Sequence, residues 1–89
     1  MKEVKSGFER HMQEAKHIVE HLKMQPGKCH TLTKRNESGI LWEKLWVCRG
    51  DQHFESKVCA GGCFVDWQPS TEAQAILEIA DDLRVIKGG

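Results

Sequence analysis

The sequence predicts an α+β domain with an N-terminal helix, a three- to four-stranded antiparallel meander and a C-terminal helix. Three observations predict it. Apolar residues recur at helical spacing near both ends of the chain, β-branched and aromatic residues are frequent between residues 28 and 67, and turn signals divide that middle region. Because two helices can cover one face of an antiparallel sheet, we expect both helices on the same face.

Length and composition fit one small globular domain over residues 1–89. Apolar residues make up 39% and charged residues 29%, which is typical of an ordered protein. Thirteen basic residues balance thirteen acidic ones, so the net charge that favours nucleic-acid binding is absent. No apolar run is long enough to span a membrane, and the charged N-terminus lacks a signal sequence. We therefore expect a cytoplasmic protein.

Residues 3–24 predict the first helix. Its apolar side chains recur every three or four residues and form one stripe, made of Val4, Phe8, Met12, Ala15, Ile18, Val19 and Leu22. Pro26 cannot continue a helix and Gly27 is a natural turn residue, so the helix ends just before them.

The middle of the chain predicts strands separated by short turns. The predicted strands are 29–35, 40–49, 52–59 and 63–67, and the predicted turns are 36–39, 50–51 and 60–62. The second strand is ambiguous, because its apolar residues Leu41, Trp42, Leu45 and Trp46 also fit helical spacing.

The last segment predicts a helix that begins after Pro69. Thr71 and Gln74 have the spacing of a capping box, in which the threonine side chain satisfies a free backbone N–H. The predicted apolar face consists of Ala73, Ile76, Leu77, Ala80 and Leu83.

The cysteines are the candidate metal ligands, since thiols stay reduced in the cytoplasm. With the predicted turn lengths, Cys48 faces His53 across a hairpin, and Cys29 lies beside Cys48. Cys29, Cys48 and His53 would then hold a zinc ion, with His30 or water as a fourth ligand. The alternative is that these thiols pack in or near the core as small apolar side chains.

Cys59 and Cys63 flank a glycine-rich segment that predicts a tight hairpin turn. With a turn over residues 60–62, Cys59 faces Cys63, close enough for an oxidative cross-link but about 20 Å from His53. One metal ion cannot reach both ends of that strand, so we expect these two thiols to be separate and reduced.

No motif predicts an enzyme. His17, Glu20 and His21 match the inverted zinc-protease pattern, but a protease also needs a distant third ligand and a substrate cleft. We expect these residues on the polar side of the first helix. No phosphate-binding glycine loop and no Ser/His/Asp pattern is visible in the sequence.

Three tryptophans and no tyrosine are unusual in a chain of this length. Since two helices cover only one sheet face, we expect a tryptophan to face outward and contact a partner. The predicted partner-binding residues are Trp42, Trp46, Lys34, Arg35, Lys44 and Arg49. The alternative is that all three tryptophans lie in the core or are buried in a homodimer.

These observations favour a small cytoplasmic interaction or regulatory protein, such as an adaptor or a phage-type inhibitor, without catalysis. We expect it to bind a protein partner, as a monomer or homodimer. One alternative is a nucleic-acid-binding domain that uses the sheet and the basic hairpin around Lys34 and Arg35. A second alternative is a zinc-stabilised binding module.

Overall fold

The computed structural model describes residues 7–50, 53–60 and 62–87. In chain order, its elements are α1 Gly7–Met24, β1 His30–Asn36, β2 Gly39–Cys48, β3 Phe54–Ala60, β4 Cys63–Phe64, β5 Gln68–Ser70 and α2 Glu72–Ile86. The predicted order of helix, antiparallel meander and helix is confirmed, and the ambiguous second segment is a strand.

Helix α1 buries the stripe that its sequence predicts. Ala15, Val19 and Leu22 are buried, while Met12 and Ile18 pack against the core from its margin. The predicted helix start at residues 3–6, which includes Val4, lies outside the described residues, as does the side chain of Phe8.

Helix α2 begins as predicted but buries a partly different face. The side-chain oxygen of Thr71 accepts a 3.1 Å hydrogen bond from the backbone N of Gln74, which is the predicted N-cap. The buried residues of the helix are Ala75, Ile79, Ala80 and Leu83. Leu77, which was predicted to lie on the buried face, is 52% exposed, and Ala73 is also exposed. Apolar residues occur on both sides of this helix, so periodicity alone did not fix its orientation.

The strands form one antiparallel sheet in the order β1-β2-β3-β4, and β5 also pairs with β3. Strands β4 and β5 occupy successive parts of the same edge of β3: Phe64 pairs with Cys59, and Ser70 pairs with Phe54. The predicted strand 63–67 is therefore shorter, and Pro69 lies in an edge strand that sequence analysis missed. A proline is tolerated there because an edge strand does not need every N–H for pairing.

A β-bulge shifts the register of the first hairpin. Arg35 faces Ile40, as the predicted turn requires, but beyond the irregularity Lys34 faces Trp42 and Leu41 is left unpaired. As a result, His30 rather than the predicted Cys29 faces Trp46.

The other two turns also differ by one residue from the predicted lengths. The backbone N of Arg49 donates a 2.8 Å hydrogen bond to the oxygen of His53, so the turn between them has three residues, with Gly50 at a φ of 94°. Cys48 consequently faces Phe54 rather than His53. In the next hairpin, Ala60 rather than Cys59 faces Cys63.

Both helices pack on one face of the sheet, as predicted. The sheet contributes Leu32, Trp46, Cys48 and Phe54 to a core whose other members come from the helices: Ala15, Val19, Leu22, Ala75, Ile79, Ala80 and Leu83. Trp46 is fully buried at the centre of the sheet, and its indole Nε1 has no hydrogen-bond partner among the described residues.

Candidate binding face of the sheet

The sheet face turned away from the helices is the candidate binding site, and we call it the outer face. Successive residues of a strand point to opposite sides of the sheet. The strand residues that alternate with the buried core residues therefore define the outer face. Its strand residues are Thr31, Thr33, Glu43, Leu45, Val47, Glu55, Lys57 and Cys59. Val47 is fully buried although it lies outside the main core cluster, so part of the outer face is itself covered by packed side chains.

Trp67 lies on this outer face between two cations. The guanidinium carbon of Arg49 is 4.9 Å from the centre of the Trp67 ring, and Lys57 Nζ is 4.7 Å from it. Both distances are within the range of a cation–π contact. The Arg49 Nε also donates a 2.7 Å hydrogen bond to Oε1 of Glu55, so its charge is already paired.

Lys57 contacts a second aromatic ring. Its Nζ lies 5.5 Å from the centre of the Phe64 ring, so the ammonium group contacts the rings of both Trp67 and Phe64. No carboxylate among the described residues forms an ion pair with Lys57. Its position is therefore fixed by rings, while its charge has no anionic partner within residues 7–50, 53–60 and 62–87.

Exposed apolar side chains adjoin this cluster. Phe64 is 46% exposed. Val65 is 56% exposed, but a 3.1 Å hydrogen bond from its backbone N to the oxygen of Val58 places it opposite Val58, on the helix-facing side. Ile40 and Leu41, at the bulge, are exposed as well. The pairing of Trp42 with Ala60, and of Ala60 with Cys63, places the bulge and β4 at the same end of the sheet.

No family model, curated protein or solved structure matches the chain. The functional assignment consequently depends on the residues themselves. No helix in the described part of the chain is long and apolar enough to cross a membrane.

The two predicted partner-binding tryptophans do not lie on the outer face. Trp46 is in the core, because its strand position points toward the helices. Trp42 is half-buried on the same helix-facing side, where it lines a groove of about 390 Å³ with Lys44, Val58, Asp82 and Val85. The tryptophan on the outer face is Trp67.

Two predicted partner-binding lysines make contacts within the fold. Lys44 Nζ lies 2.8 Å from Oδ2 of Asp82 and 3.6 Å from Oε1 of Glu78, which joins β2 to α2. Lys34 Nζ donates a 3.1 Å hydrogen bond to the backbone oxygen of Val85 in the last turn of α2. That oxygen is among the terminal carbonyls of the helix and also accepts a hydrogen bond from the backbone N–H of the C-cap residue Lys87, so Lys34 adds a side-chain contact to the helix end.

The two predicted arginines differ. Arg35 is exposed beside the bulge, and Arg49 contacts Trp67 on the outer face. The sequence patterns did not indicate Lys57, Phe64 and Trp67 as a group. The sequence did carry one signal. Apolar residues are concentrated directly after the glycine-rich turn, and they are more numerous than a two-residue strand needs for pairing.

The predicted zinc ligands Cys29, Cys48 and His53 occupy different environments. Cys48 is buried in the core, whereas Cys29 and His53 are exposed. No group of three or more histidine, cysteine or acidic residues in the described ranges is arranged to hold a metal ion. The geometry thus gives the zinc hypothesis no support, and Cys48 fits the alternative of a thiol packed in the core.

A histidine cluster lies where α1 packs beside β1. His17, His21 and His30, together with Glu14 and Ile18, line a cavity of about 200 Å³. Burial of the His30 imidazole lowers its pKa from the usual 6.5, the nearby His21 lowers it further, and Glu14 opposes both effects. The cluster is therefore a place where stability responds to pH.

Proposed function

We propose that the chain is a non-catalytic interaction protein that binds a partner protein on the outer face of its sheet. The observation that carries the proposal is the one-sided packing of the helices, which leaves Phe64 and Trp67 on the opposite face. Aromatic and arginine side chains with apolar neighbours contribute most of the binding energy in typical protein interfaces. An adaptor or inhibitor of this size can bind its partner through such a face alone.

A cytoplasmic location accompanies this proposal. All four cysteines are free thiols, and Cys29 and Cys63 are exposed. Exposed free thiols persist in a reducing compartment and oxidise outside one.

Nucleic acid is the weaker candidate for the same face. Aromatic rings beside Arg49 and Lys57 are compatible with stacked bases. However, Glu55 pairs with Arg49, and Glu43 adds a second carboxylate to the same face. A polyanion gains affinity in proportion to the phosphates that cations neutralise, and in the described part of this face Lys57 is the strand cation without an ion pair.

Photo-cross-linking in the cells that make the protein tests the proposal. A benzophenone side chain is placed at Thr31, an exposed position on the outer face, and the cross-linked species are compared between variants. Phe64→Ser removes apolar area from the outer face. The control is Leu77→Ser, which removes an equally exposed apolar side chain, 52% exposed, from α2.

We expect one dominant protein adduct that survives Leu77→Ser and disappears in the Phe64→Ser variant, with circular dichroism showing that both variants stay folded. An adduct equally sensitive to both variants, or insensitive to both, would overturn the proposal. A nucleic-acid adduct that nuclease removes would replace it with the weaker candidate.

A further inference from the structure

We infer that the partner places a carboxylate beside large apolar side chains, and that Lys57 binds this carboxylate. The inference rests on the proposed function, because it concerns the same outer face. It specifies the partner as a protein segment in which Asp or Glu lies within one or two residues of an apolar residue.

The first argument is the position of the Lys57 ammonium group. It is held 4.7 Å from the ring centre of Trp67 and 5.5 Å from that of Phe64, so two rigid side chains restrict a residue that is usually mobile. A lysine that is already restrained loses less conformational entropy when it binds an anion. Lys57 is consequently prepared for binding before a partner arrives.

The second argument is charge. Arg49 is also fixed against Trp67, but its Nε already contacts Glu55 at 2.7 Å. Lys57 has no ion pair in the described part of the chain, so it is the cation on this face that needs a counter-charge. A single carboxylate satisfies one ammonium group, whereas a phosphate chain would bring further charges against Glu43 and Glu55.

The third argument is the surroundings of Lys57. Phe64 is 46% exposed, and the centre of its ring lies 5.5 Å from Lys57 Nζ. A partner that covers Phe64 removes water from the Lys57 contact, and an ion pair strengthens when water is excluded. Apolar side chains and a carboxylate on the same short segment would therefore reinforce each other.

Selection from a displayed random-peptide library tests the inference. The whole chain is the target, and the Phe64→Ser variant is used for counter-selection so that outer-face binders are retained. We expect the retained peptides to be enriched in large apolar residues, with Asp or Glu one or two positions away from an apolar residue. The same selection against Lys57→Gln should keep the apolar enrichment and lose the acidic one.

Affinity measurements on the best peptide complete the test. By fluorescence anisotropy, we expect Lys57→Gln to weaken binding about tenfold or more, as expected for a desolvated charge pair. The matched control is Lys16→Gln on the exposed side of α1, which should leave binding unchanged. A peptide with Gln in place of its acidic residue should bind the native chain as weakly as the acidic peptide binds the Lys57 variant.

The outcomes separate the inference from the proposed function. Apolar peptides without acidic enrichment, or affinity unaffected by Lys57→Gln, would overturn the inference and leave the proposed function intact. An absence of any peptide that distinguishes the native chain from the Phe64→Ser variant would overturn both. Tighter binding of an oligothymidine probe than of the acidic peptides would assign the face to nucleic acid.

Discussion

The ammonium group of Lys44 lies 2.8 Å from Oδ2 of Asp82, and the two side chains are only 15% and 16% exposed. This contact joins the middle of the sheet to the second helix. Oδ2 has no hydrogen-bond partner among the described residues, so the contact is an ion pair without good hydrogen-bond alignment. A lysine that sequence analysis assigned to a partner is instead part of the internal packing.

Removing the Lys44 charge should destabilise the fold. Lys44→Met leaves the Asp82 carboxylate with little solvent and no cation, and we expect a loss of about 2–3 kcal/mol, somewhat below the usual ~3–5 kcal/mol because the pair is not fully buried. Lys44→Met combined with Asp82→Leu should recover most of the loss. Urea unfolding of the single and double variants measures this coupling.

The control for that experiment is Arg84→Met. It breaks the 2.7 Å pair of Arg84 with Asp81, in which the side chains are 49% and 58% exposed. An exposed pair contributes less than about 1 kcal/mol. Equal losses from Lys44→Met and Arg84→Met would contradict the view that burial makes the Lys44 contact structurally important.

The N-cap of α2 gives a second prediction. Thr71→Ala removes the oxygen that accepts from the backbone N of Gln74, and we expect a loss of about 1 kcal/mol. For a domain of this size, this lowers the Tm by about 4–8 °C. Thr71→Ser keeps the acceptor, so calorimetry should show a Tm close to that of the native chain; a Tm as low as that of the alanine variant would exclude the capping role.

The histidine cluster predicts that stability falls in mildly acidic solution. Burial and the neighbouring His21 lower the pKa of folded His30 below its usual 6.5. Between that lowered pKa and 6.5, the unfolded chain binds more protons than the folded chain, so unfolding becomes easier as the pH falls through this window. Urea unfolding from pH 8 to pH 5 should show the loss, and His30→Gln should reduce the slope.

Substitutions around His30 check the cause of its pKa shift. NMR titration should show the pKa of His30 moving upward in His21→Gln, because a repelling charge is removed, and further downward in Glu14→Gln. A His30 pKa that responds to neither substitution would place the imidazole elsewhere.

The element order could be predicted from sequence because it depends on local signals. Helical spacing identified α1 and α2, and the Thr71–Gln74 spacing identified the cap. The register could not be predicted, because the turns at Gly50 and Gly62 are each compatible with loops that differ by one residue. A β-bulge beside Leu41 shifted the strand register a third time, and no residue type in the sequence clearly indicates a bulge there.

Those one-residue shifts explain why the candidate site was only partly predicted. A change of one residue in register changes which side chains face each other, and the predicted Cys48–His53 pair was lost in this way. Which tryptophan faces outward depends on strand orientation and on where β4 ends, and neither follows from composition. Arg49 was predicted on the binding surface, but Trp67, the ring that it contacts, was not.

The thiols give a final prediction that depends directly on the observed register. Cys59 pairs with Phe64 and Cys63 pairs with Ala60, so neighbouring cysteines point to opposite sides of the sheet and cannot form an unstrained disulfide. Cys29 and Cys63 are exposed, whereas Cys48 is 2% exposed. Iodoacetamide should therefore modify Cys29 and Cys63 first, Cys59 more slowly, and Cys48 only when the chain unfolds.

Mass spectrometry of peptides after timed alkylation measures these rates, and alkylation in guanidinium chloride, where all four thiols should react, is the control. Mild oxidation should yield disulfide-linked dimers through Cys29 or Cys63 rather than a Cys59–Cys63 bridge. Rapid formation of that bridge within one folded chain would mean that Cys59 faces Cys63 directly. The sheet would then have the register predicted from the sequence, and the orientation of Lys57 toward Phe64 would have to change with it, because both pairs lie on the same two strands.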